Sequence, residues 1–70
     1  MALTDDIADE IAQLALEDEL RTGDEKIVQE LAEILGASSQ TLQEAYLTSI
    51  RVRRAEKRAR ELLASRAKTN

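Results

Sequence analysis

Gly23 and Gly36 are the only glycines in a chain of 70 residues that has no proline. On either side of them, apolar residues recur at helical spacing. Thr4 is placed to cap a first helix whose opening turn holds Asp5 and Asp6. Carboxylates there complement the positive end of the helix dipole. Ile7, Ile11 and Leu14 follow as its apolar stripe, widened by Leu3, Leu16 and Leu20. Gly23 suits the residue just past the helix, so helix one is expected over about 5–22. Asp24 then caps a second helix carrying Ile27, Val28, Leu31, Ile34 and Leu35. With Gly36 as its stop, that helix covers about 25–35. Ser38 or Ser39 caps the third, and Thr41 with Glu44 forms a second capping pair nearby. Nothing interrupts helix three until the Lys68-Thr69-Asn70 tail, so it spans about 39–66 and about 40 Å. The expected fold is all-α, three helices with a long third.

Seventy residues make a single small domain. It divides into an acidic helix (1–23), a central helical corner (24–50) and a basic extension and tail (51–70). A chain this short buries only about 60% of the surface it exposes unfolded, so a partner chain would add stability. With no Cys and no His, disulfides, thiolate metal sites and the commonest general base are excluded. One Tyr, with no Trp or Phe, gives little wall for a catalytic pocket. The acidic pairs lack the loop spacing and central Gly of a calcium-binding hand. The expectation is a non-enzyme, with no catalytic residue, metal or cofactor. No apolar run is long enough to span a membrane, and the leading segment is acidic where a secretory signal is basic. A cytoplasmic protein is expected.

The net charge of −4 is unevenly spread. Residues 1–44 hold twelve acids against Arg21 and Lys26. Residues 45–70 hold eight bases against Glu56 and Glu61. Such polarity suits a polyanion site, or acid–base pairing between segments.

Helix three changes its apolar face along its length. At 100° per residue from Leu42, Ala45, Tyr46 and Ile50 fall within about −60° to +80°. Val52, Ala55, Ala59, Leu62 and Leu63 fall between about 200° and 300°. One neighbour cannot easily cover both halves. The second half is therefore expected to pack on a second copy of the chain, or else to return along helix one within a single core. Its stripe is Ala-rich and lacks Trp and Phe, which favours a helix over lipid as its neighbour.

The segment Val28–Leu47 resembles the helix-turn-helix family of bacterial and phage DNA-binding domains. The resemblance rests on Leu31-Ala32, Leu35-Gly36, Ser38 or Ser39, Thr41-Leu42 and Ala45, about 20 residues. It implies a helix-turn-helix-like angle between helices two and three, with the start of the last helix facing the major groove. The base contacts would be Ser39, Gln40 and Gln43, since Gln can pair with adenine through two hydrogen bonds. Arg51, Arg54 and Arg58 share that side of the wheel and would hold phosphates. Glu44, the acids of helix two and the length of helix three depart from the family's pattern.

Two readings follow. In the first, the chain is a small DNA-associated regulator acting as a homodimer on double-stranded DNA, with Val52, Ala55, Ala59, Leu62 and Leu63 as its dimer contact. In the second, it is a protein–protein interaction or oligomerisation module of helical-hairpin type with no nucleic acid. A protein partner would then be met through the acidic first helix or the basic third, with Leu47 among the contact residues.

Overall fold

The computed structural model describes residues 3–68. It is all-α, with α1 at Leu3–Thr22, α2 at Lys26–Ser38 and α3 at Gln40–Ala67. No strand occurs among the described residues.

The caps show where local chemistry decides the boundaries. Helix α1 begins at Leu3, so Thr4 lies inside its first turn and is not its cap. Gly23 ends it at φ +77°, a left-handed value that costs glycine nothing. Its N–H donates to the Glu19 carbonyl at 2.8 Å. The cap position of α2 is Glu25, whose side chain makes no capping bond. Asp24, expected as the cap, lies one residue further out and accepts from the Lys26 N–H at Oδ1, at 2.9 Å. At the next corner, Ser39 is extended and its Oγ accepts from the Leu42 N–H at 3.1 Å. Of the two serines, Ser39 is the cap.

Gly36 does not stop α2. The helix continues through it to Ser38, and Ser39 alone separates α2 from α3. Gly36 has no positive φ; its role is to admit a neighbour. A Cβ built there would meet the amide of Gln43, with Gln43 Cδ at 2.7 Å. The Gln43 Nε2 donates to the Ala32 carbonyl at 2.8 Å. The missing side chain at Gly36 therefore makes room for a hydrogen bond that ties α3 to α2.

The core is small and built from small residues. Ala8, Ala12, Ala15, Val28, Ala32, Tyr46 and Ile50 form one buried cluster, and Tyr46 is its largest fully buried side chain. This corrects the expected apolar stripe of α1. The buried face is Ala8-Ala12-Ala15, whereas Ile7 and Leu14 are 37% and 59% exposed. Alanine lets helix axes approach closely, and close approach lets α1 pack around the Tyr46 ring. Of the larger aliphatics, Ile11 and Leu16 are half-buried against the core, while Leu3, Ile7, Leu14 and Leu20 are left exposed.

Helix α3 outruns this core. Every residue from Ala55 to Lys68 is exposed. The thirteen helical positions 55–67 form an arm of about 20 Å. The radius of gyration is 14.2 Å, against about 11 Å for a compact chain of this length. The expected alternative, in which the second half of α3 returns along helix one in a single core, is not what the chain does. The arm diverges from α1 and leaves an open cleft of about 1120 Å³ between them.

Candidate functional site

The outer surfaces of α1 and α3 carry the chain's recognisable chemistry, and their ion pairs set the geometry. Arg53 on α3 grips Asp9 on α1 through two parallel bonds, Nε to Oδ1 at 2.9 Å and Nη2 to Oδ2 at 2.8 Å. Its neighbour Arg54 donates from Nη2 to Glu19 Oε2 at 3.2 Å. Asp9 and Glu19 are ten residues apart, about 15 Å along α1. Adjacent residues of α3 reach both, so α3 crosses α1 between them. The Arg53 guanidinium holds the Asp9 carboxyl below its ordinary value. Intersegment acid–base pairing is therefore real at two places.

These contacts redistribute the residues nominated for DNA. Ser39 is half-buried and its Oγ caps α3. Gln43 is half-buried with its amide committed to Ala32. Arg54 is half-buried against Glu19. Gln40, Arg51 and Arg58 are exposed. They lie within about 20° of one another on the α3 wheel. Leu47, beside that line, is half-buried against the core.

Comparison with known protein families, characterised proteins and solved structures finds no match for this chain.

The apolar surface is the larger feature. All five residues nominated for a dimer contact, Val52, Ala55, Ala59, Leu62 and Leu63, are exposed. Val52, Leu62 and Leu63 are each more than 60% exposed. A second stripe, which periodicity assigned to the core, lies on α1. Leu3 is 73% exposed and lines up with Ile7 and Leu14 within about 40° of the wheel. The signal that separates the two faces of α1 is the spacing of Ala8, Ala12 and Ala15, which marks the side of close approach. No helix among the described residues is long and apolar enough to cross a membrane.

Proposed function

We propose that this chain is a non-enzymatic protein–protein interaction module, working in the cytoplasm, whose binding surfaces are the outer stripe of α1 and the arm of α3. The observation that carries this is the exposure of Leu3, Ile7 and Leu14 on one helix and Val52, Leu62 and Leu63 on another. Isolated exposed aliphatics are ordinary, but aligned ones on a helix that packs by its opposite side mark a contact surface. Glu10 and Glu17 on α1, and Arg51 and Arg58 on α3, are exposed beside these stripes and would select the partner by charge.

A DNA-associated regulator acting as a homodimer is the second reading. The exposed line Gln40, Arg51 and Arg58 favours it. Against it, Gln43 and Arg54 already serve α2 and α1, which leaves Gln40 as the one wholly free base reader of the three nominated.

A photo-crosslinking residue at Leu62, in cells making the chain, separates the two. The interaction reading expects a protein adduct that survives nuclease, with no adduct from a control position at Glu30. Mixed-sequence duplex DNA titrated at low salt should give no complex. A complex that weakens steeply as salt rises would overturn the interaction reading, because such a slope counts neutralised phosphates.

A further inference from the structure

The two stripes cannot meet within one chain. Helix α1 touches α3 through its alanine face, with Tyr46 and Ile50 in the same cluster. The Val52–Leu63 stripe lies roughly opposite those residues on the α3 wheel. Both stripes therefore stay uncovered however the side chains of a single copy adjust.

Resting on the interaction reading above, we propose that the partner is a second copy of this chain. The α1 stripe of each protomer seats on the α3 arm of the other, in two equivalent contacts about a two-fold axis. Four observations support this.

The first is area. The chain exposes 5472 Å², whereas a compact monomer of 7.8 kDa exposes about 4400 Å². The excess, about 1100 Å², is on the scale of the roughly 800 Å² that each partner of a specific complex buries. The second is length. Leu3 and Leu14, like Val52 and Leu63, are eleven positions apart, about 16 Å of helix.

The third is charge and its spacing. Glu10 and Glu17 stand seven residues apart along one edge of the α1 stripe. Arg51 and Arg58 stand seven apart along one edge of the α3 stripe. All four are exposed, so a helix laid against the arm brings acids to cations at matching intervals. The fourth is closure. A single head-to-tail contact leaves one stripe bare on each end copy and propagates, whereas reciprocal contacts cover both stripes and stop at two.

The chain has no cysteine, so introduced thiols report without background. Leu14→Cys is mixed under oxidising conditions with Val52→Cys in one experiment and with Leu63→Cys in another. All three sites are exposed. The wild type should sediment as a dimer at tens of micromolar. One of the mixtures should give a mixed disulfide in preference to like-with-like products, and which one it is reports the direction of the helix pair.

Arg58→Glu should weaken the dimer about tenfold, and adding Glu10→Arg, the acid that either helix direction brings opposite Arg58, should restore most of that loss. Circular dichroism should show both variants as helical as the wild type. Two results overturn the proposal. One is a monomer at every concentration up to millimolar. The other is a dimer whose introduced thiols give only like-with-like disulfides, position 14 to 14, 52 to 52 or 63 to 63. A monomer that still yields a protein adduct at Leu62 would remove the self-partner and leave the interaction reading standing.

Discussion

The Tyr46 hydroxyl donates a 2.8 Å hydrogen bond to the Val28 carbonyl, eighteen residues back and on the facing helix. That carbonyl also belongs to the α2 ladder, so the phenol adds a second donor to an oxygen with two lone pairs. The bond fixes the closure of the α2–α3 corner. The alanine face of α1 packs in the same cluster as the ring. In a core whose other members carry side chains of one to four carbons, Tyr46 is the largest fully buried side chain.

Tyr46→Phe removes one neutral hydrogen bond without emptying the space. A loss of about 1 kcal/mol is expected, which lowers the midpoint of thermal unfolding by about 4–8 °C in a domain this size. The same substitution should alter the alkaline limb. Burial pushes the Tyr46 phenol above its ordinary value of 10.0, with the Arg54 charge opposing and the Glu19 charge adding. The folded chain thus holds this proton more tightly than the unfolded chain. The contribution is complete below about pH 10 and is lost as pH rises towards the folded value. Urea titrations from pH 8 to 11 should show the wild type losing stability on that limb more steeply than the Phe variant. Parallel curves would show that the core holds this proton no more tightly than the unfolded chain does.

Asp9 acts at the other end of the pH scale. Its bidentate bond to Arg53 holds the carboxyl below 3.8. The folded state binds this proton less readily than the unfolded state. The stabilisation is therefore present above about pH 4 and disappears as pH falls through the lowered value. Both side chains are partly exposed, so the effect is modest and should shrink in high salt. Asp9→Asn should melt below the wild type at pH 6, with the gap closing as pH drops below 3.8. A gap unchanged at pH 2 would mean that the carboxylate charge contributes nothing to the crossing of α1 and α3.

Much of this architecture was legible in residues whose local chemistry leaves little choice. Gly23 stops α1 because its backbone adopts a left-handed φ there. Asp24 and Ser39 accept from backbone N–H groups that a helix start leaves bare, so the two later helix starts fell within one residue of expectation. The rotation of the α3 stripe after Ile50 correctly marked where the chain's own cover ends. Gly36 misled because a glycine that ends a helix and one that admits a neighbour look alike in sequence. The inner side of α1 misled for a related reason. Periodicity finds apolar faces, and α1 has two. Hydrophobic size selects Ile7 and Leu14, whereas the distance between helix axes selects Ala8, Ala12 and Ala15. The nominated DNA side was read from a wheel, which cannot show that Gln43 reaches back to Ala32 or that Arg54 reaches across to Glu19.

Gly36 and Gln43 should behave as a coupled pair. Glycine inside a helix costs about 1 kcal/mol relative to alanine, so Gly36→Ala ought to stabilise α2. Here the new Cβ would displace the Gln43 amide and cost its bond to Ala32, about 1 kcal/mol as well. The single substitution is expected to be near neutral. In a Gln43→Ala background the obstruction is gone, and Gly36→Ala should then stabilise by about 1 kcal/mol. Denaturant unfolding of the four chains measures the coupling. Strict additivity would mean that the glycine is not reserved for this amide.

The arm of α3 allows a final test that reads covering directly. An isolated helix shorter than about 12–15 residues is marginal in water. The Glu56–Arg60 pair at 2.9 Å adds only about 0.2–0.5 kcal/mol. In a single copy the amides of residues 58–67 therefore open locally, far more readily than those of Ala12, Ala32 or Tyr46, which exchange only when the core comes apart. Association changes the arm and not the core, because the core is complete within one chain. Hydrogen exchange at low micromolar concentration should show weak protection over 58–67. At several hundred micromolar, protection there should rise by at least tenfold, with the core amides little changed. An arm already as protected as Ala32 at the lowest concentration would mean that its stripe is covered within one copy.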